Sequence, residues 1–158
     1  MTEEISDSSK RVLAALIAAG WRIKQEYHWY ILLEREGYRD YQFIFSGYGM
    51  TPRSYNDVPM RLSNERLAHI LEGHPEVSVH LSEILHTLIT PQRIYAGKEG
   101  ELLALREVEP EKWLVVVYRE STLDMEKTAI ADIEAGSFVI TAYLTRRIRS
   151  FEKRQRIL

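Results

Sequence analysis

Three hydroxyl side chains stand at alternate positions, Thr141, Tyr143 and Thr145, and two guanidinium side chains follow at once, Arg146 and Arg147. On a strand, alternate residues share a face, so the hydroxyls would stand in line about 6–7 Å apart. Hydroxyl and guanidinium donors side by side suit an anionic oxygen such as that of a phosphate. The competing reading is a solvent-facing strand whose Thr and Tyr serve β-propensity. The cationic character runs on through Arg149, Lys153, Arg154 and Arg156, opposed only by Glu152. Either this end is a solvated charged tail or it contacts phosphate.

The histidines are the other candidates for chemistry. Four of the five lie between residues 69 and 86. His69 and His74 are separated by about 140° on an ideal helix, with Gly73 between them, which is not the i, i+4 spacing of a zinc helix. A lone His at the end of an apolar helix face is commonly a cap or a core residue. Its chemical alternative is acid–base work, because imidazole titrates near neutral pH. His80 and His86 read as boundary residues. With no cysteine, thiol nucleophiles, disulfides and Cys-based zinc sites are all excluded. No metal or cofactor site is expected. No Gly-rich phosphate loop or nucleophile elbow occurs. Arg106 and Arg119 sit in apolar strands, where a charge points to solvent, pairs with a Glu or faces a site.

The elements that would position these groups follow from period and punctuation. Ser8 and Ser9 are candidate caps of a helix through Ala19, stopped by Gly20. His28 to Arg35 and Tyr38 to Ser46 read as strands joined by a hairpin at Glu36-Gly37. Residues 47–60 are rich in turn formers and read as a linker. Ser63 caps a predicted helix 64–72, and a second helix covers 76–89. After Pro91 the period changes to two. Strands are predicted over 101–108, 112–120 and 137–145, with Trp113 to Val117 buried on both faces. On the last strand, Phe138, Ile140, Ala142 and Leu144 should face one way and Val139, Thr141, Tyr143 and Thr145 the other. Residues 121–136 read as a loop or a short helix.

Composition bounds the class. At 158 residues, 45% hydrophobic and with a net charge of −2, the chain is expected to be one globular domain, or one domain plus a small accessory unit. The first ten residues lack a signal peptide's basic and apolar regions. The longest apolar run is far short of the ~20 residues of a membrane span. A reducing, cytoplasmic setting is therefore expected.

Residues 61–70 (RLSNERLAHI), then His74-Pro75-Glu76, then two strands, then residues 138–148 (FVITAYLTRRI) resemble, in that order, the phage-associated barnase–EndoU–colicin–RelE-like nucleases. The resemblance covers about residues 61–158. It implies an α+β fold in which two helices pack on a curved, antiparallel, four-stranded sheet. An N-terminal helix–strand–strand unit (residues 1–58) would precede a nuclease domain (59–158). It also implies a metal-independent ribonuclease of toxin or mobile-element type, acting on RNA, tRNA included, with an antitoxin or immunity protein as partner. By motif match, His69 is the base or acid, and Thr141, Tyr143 and Arg146 stabilise the phosphorane. Arg106, Arg147, Arg149 and Lys153 would contact the RNA. In that reading His69, Thr141 and Tyr143 converge on one cleft. The rival is a non-catalytic module that binds RNA or protein through the same hydroxyl face and basic end.

Overall fold

A computed structural model describes residues 6–28, 30–44, 52–120 and 136–158. The fold is α+β, with three α-helices and two antiparallel sheets, one of three strands and one of four, among the described residues. It falls into two compact units: Met1–Gly49 with Ser63–Leu81, and Met50–Leu62 with Ser82–Leu158. The boundary expected after residue 58 does not coincide with this division. The segment Ser63–Leu81 groups with the N-terminal residues, not with the sheet that follows it. No helix among the described residues is long and apolar enough to cross a membrane.

The first unit runs α1 (Asp7–Ala18), β1 (Arg22–Glu26), β2 (Tyr30–Glu34), β3 (Tyr41–Ile44) and α2 (Asn64–Gly73). Ser6 caps α1, its hydroxyl accepting from the Ser9 N–H. Ser9, a cap candidate by sequence, is instead buried, and its hydroxyl accepts from the Asn64 amide at 3.0 Å. Gly20 ends the helix as expected. Its φ of +102° lets the Trp21 N–H reach the Leu16 carbonyl and its own N–H reach Ile17, a Schellman closure that a Cβ would strain. Trp21 is thereby buried, and its indole N–H donates to the Ser78 carbonyl at 3.1 Å.

Strand β1 is a correction, because the sequence reading placed only two strands here. Its residues, RIKQE, are exposed throughout. An edge strand with no buried face carries no apolar alternation to read. It pairs with β2, which pairs with β3. Ile31, Leu33, Tyr41 and Phe43 are buried, and burial pushes the Tyr41 phenol up to about 12. The helix expected over 76–89 is two pieces: a 3-10 turn over Pro75–Val79, then α3 (Leu81–Ile89). Pro75 starts the turn and the His80 backbone breaks the run.

The second unit is built on β4 (Arg93–Ala96), β5 (Leu102–Glu109), β6 (Lys112–Arg119) and β7 (Phe138–Thr145), paired antiparallel in that order. The predicted strands lie where the period-two pattern placed them, and β4 is added. Leu114, Val115 and Val116 are fully buried, so β6 is covered on both faces, as its unbroken apolar run requires. A bulge at Ile140 shifts the pairing from Val117↔Thr141 to Tyr118↔Val139. The extra residue turns Val139 to the same face as Ala142, and both are fully buried. The strict alternation expected for this strand therefore holds only from Thr141 onward. Residues 121–135, read as loop or helix, lie outside the described residues, as do 47–51 of the predicted linker.

Both edges of this sheet are covered. The Arg61 backbone bonds Ser137 and Val139 beside β7. At the other edge, Ala96 N–H donates to the Gln155 carbonyl at 2.8 Å, and Ile157 N–H to Ile94 at 2.7 Å. Between these edges the chain from Arg146 passes through a 3-10 turn (Ile148–Phe151). Phe151 is buried against Tyr95, Leu103, Leu105 and Val115. The cationic C-terminus is therefore an ordered strap, not a solvated tail, because Phe151 and Ile148 supply the apolar anchors that its charges conceal in a composition count.

Candidate functional site

Helix α2 shows one polar stripe and one apolar one. Leu67, Ala68, Ile70 and Leu71 are buried. Glu65, His69 and Glu72 fall at i, i+4 and i+7, and Arg66 lies three residues before His69, spacings that share a helix face; His69 is exposed. Ser63 caps the helix, its hydroxyl accepting from the Arg66 N–H at 3.1 Å. Glu65 in the first turn complements the helix dipole. Arg11 of α1 grips Glu72 with two bonds of 2.8 and 2.6 Å. These bonds are the largest cause holding the Glu72 carboxyl below its ordinary range, with the charges of Arg11 and His69 adding to it. The result is a hollow of about 420 Å³ lined by Arg11, Ser63, Glu65, Arg66 and His69.

An imidazole, a carboxylate and two guanidiniums line this hollow, the Arg11 guanidinium already bound to Glu72. Such a set can move a proton and neutralise an anion together. Glu65, Arg66 and Arg11 were not among the residues singled out from sequence. The signal for the first two was the helical spacing around His69. The Arg11–Glu72 contact spans 61 positions and leaves no local trace. The other three histidines between residues 69 and 86 have separate settings. The His74 backbone caps α2, and its ring lies 3.4 Å from Glu76. His80 is buried edge-on to Tyr38. His86 is exposed, 3.6 Å from Glu83. Among the described residues no group of three His, Cys, Asp or Glu side chains could hold a metal ion.

Thr141, Tyr143 and Arg146 belong to the second unit, whereas His69 belongs to the first. The hydroxyl row is not a bare polar face. Opposed residues of a ladder share a face, so Tyr143 lies beside Val115 and Leu105, and Thr141 beside Val117 and Leu103. Tyr143 is half-buried and packs on the cluster that holds Phe151. Burial pushes its phenol up, and the charge of Arg154 pulls against that rise. Thr145 accepts from the Arg147 N–H at 3.0 Å, which turns the chain out of β7. Arg106 donates to the Thr90 carbonyl at 2.8 Å, tying β5 to the end of α3, so its guanidinium has a structural task.

The strap presents the remaining cations. Arg146, Arg147, Arg149 and Lys153 are exposed, and Arg154 is half-buried. Arg146, Arg147 and Arg149 share a hollow of about 550 Å³ with Glu107, Glu111, Trp113 and Ile148. Trp113 is half-buried there, and the Arg93 guanidinium stacks 5.2 Å from its ring centre. An indole bordered by guanidiniums is a surface on which a nucleobase can stack beside its phosphate. The sequence reading places Trp113 inside a doubly buried run, whereas its indole is half-buried.

The turn between β4 and β5 is set by Glu101. Its carboxylate accepts from the Lys98 and Glu99 N–H groups at 3.0 Å each. Gly97 has no room for a Cβ, which would meet the Glu101 side chain. The Glu101 N–H first, then those of Glu99 and Lys98, and the Arg119 charge hold the Glu101 carboxyl below its ordinary range. A depressed carboxyl stabilises above its unfolded pKa, and that contribution disappears as pH falls through the lowered folded value. Amide-exchange protection at Lys98 and Glu99 should therefore fall below about pH 4. Glu101→Gln should lack this dependence, and identical pH profiles in the two proteins would refute it.

No family model, curated protein or solved structure matches the chain.

Proposed function

We propose that this chain is a metal-independent endoribonuclease of toxin or mobile-element type, which cleaves RNA in the cytoplasm by transesterification. The observation that carries the reading is the exposed His69 in a hollow shared with Glu65, Arg66 and Arg11. Cleavage needs a base to take the proton of the 2′-hydroxyl and an acid to protonate the departing 5′-oxygen. Glu65 and His69 are the ionisable pair for those tasks. The pentacovalent phosphorane gains negative charge, which nearby guanidiniums stabilise. The nucleophile is held by the substrate itself, so the chemistry needs no metal to generate one. Thr141, Tyr143 and Arg146 are the donors that the resemblance assigns to the phosphorane. The strap cations Arg147, Arg149 and Lys153 suit the RNA backbone. A protein inhibitor of antitoxin or immunity type is the expected partner.

The test is cleavage of single-stranded RNA and of a mixed tRNA pool in excess EDTA. Cleavage should persist unchanged and give ends with 2′,3′-cyclic phosphate, since the chain has no Cys and no compact ligand spacing. Activity that vanishes with the chelator and returns with magnesium or zinc would refute the mechanism. The second reading is a non-catalytic RNA-binding module. It is favoured by the strap, whose guanidiniums border Trp113, and by the packing role of Tyr143. Wild-type protein that retains both RNAs in a gel shift but leaves them intact would select this reading.

A further inference from the structure

We propose that the hollow between the β4–β5 turn and the strap, lined by Lys98, Lys153 and Arg154, is a phosphate-binding site. Its volume is about 510 Å³, and Ala96, Gly97, Ser150 and Gln155 complete the lining. That volume lies within the range of about 300–1,000 Å³ usual for small-ligand sites. Three cations line it and no carboxylate does. Other cations among the described residues sit beside a carboxylate: Arg11 with Glu72, Lys24 with Asp40, Arg53 with Asp57 and Lys112 with Glu109. Like charges brought together repel unless an anion joins them, so three cations lining one hollow suit an anionic ligand.

The backbone that carries these cations is held in place, which lowers the ordering cost of binding. Gln155, next to Arg154, is fixed to β4 through Ala96 N–H, and the Arg154 N–H donates to the Phe151 carbonyl at 2.9 Å. Gly97 N–H closes the turn on the Glu101 carbonyl at 2.8 Å, and the Glu101 carboxylate fixes the Lys98 backbone. The Ser150 hydroxyl donates to the Arg147 carbonyl at 2.7 Å, so it shapes the wall without offering its proton. A guanidinium and two ammonium groups lining one hollow are the donors that suit the oxygens of a phosphate. That phosphate has two sources, an RNA backbone or a free phosphorylated molecule. The RNA source rests on the ribonuclease reading, and the phosphate chemistry does not.

Titration of the whole chain with inorganic phosphate, followed by amide NMR, tests the site directly. The Gly97, Lys98, Lys153 and Gln155 signals should move, and the triple variant Lys98→Gln/Lys153→Gln/Arg154→Gln should abolish the movement while keeping its circular dichroism. If those signals do not move in the wild type, the site is refuted. A second arm uses a 12-nucleotide single-stranded RNA at several salt concentrations. The variant's salt slope should fall by about 0.7 for each RNA phosphate that it no longer neutralises. RNA bound with unchanged affinity and slope by the variant would overturn the RNA source. Phosphate bound here by a protein that ignores RNA would uphold the site, assign it to a free phosphorylated ligand and defeat the ribonuclease reading alone.

Discussion

Replacing His69 with alanine should lower RNA cleavage by about 10²-fold or more, the usual worth of one acid–base group. His69 is exposed on a helix whose opposite stripe is buried, so folding stability should change by less than about 0.5 kcal/mol. The loss would then be chemical and not structural. Glu65→Gln removes the other ionisable group of the hollow without changing its size and should act in the same direction. Tyr143→Phe keeps the ring that packs on the Phe151 cluster and removes only the hydroxyl. A fall of similar size is expected if that hydroxyl donates to the phosphorane. An unchanged rate would return Tyr143 to a packing role. Rates are best read on a tRNA pool as well as on generic RNA, because a narrow substrate would escape the latter. Full activity in His69→Ala would sink the assignment.

Much of the fold was legible because its signals are local. The period-two runs around Leu103, Val115 and Tyr143, the stop at Gly20 and the cap at Ser63 each rest on residues within one turn or one strand. What escaped depends on partners distant in sequence. Strand β1 is polar and exposed, and it is recognisable only by its pairing with β2. The Ile140 bulge changes which residues of β7 share a face, yet nothing in its own sequence marks it. The site followed the same rule. His69 was legible as a lone titratable group on a helix. Its companion Arg11 was not, because a contact across 61 positions is a property of packing. Arg154 and Lys98 meet at one hollow only because the strap crosses the sheet.

The strap gives the sharpest test of that last point. Phe151→Ala should destabilise the second unit by about 3–5 kcal/mol, the usual cost of deleting a buried Phe. That corresponds to about 10²–10³-fold or more in its unfolding equilibrium. Phe151 is 5% exposed, and its ring lies 5.9 Å from that of Tyr95. Leu103, Leu105, Val115 and the half-buried Trp113, Val117, Tyr143 and Ile148 complete the cluster. Alanine would leave a cavity there that a rigid sheet cannot close. Arg149→Gln, at an exposed position two residues earlier, is the control and should stay within about 0.5 kcal/mol. Hydrogen exchange at Leu105 and Val115 reads the unit's stability. At Ala96 and Ile157, whose N–H groups bond across the strap edge, it reads detachment of the strap alone. If the C-terminus were a solvated tail, both variants would match wild type at every one of these amides. Because Phe151 holds Lys153 and Arg154 opposite Lys98, its loss should also weaken phosphate binding, although no charge has been removed. Phosphate affinity that survives in Phe151→Ala would mean that the cations need no anchor.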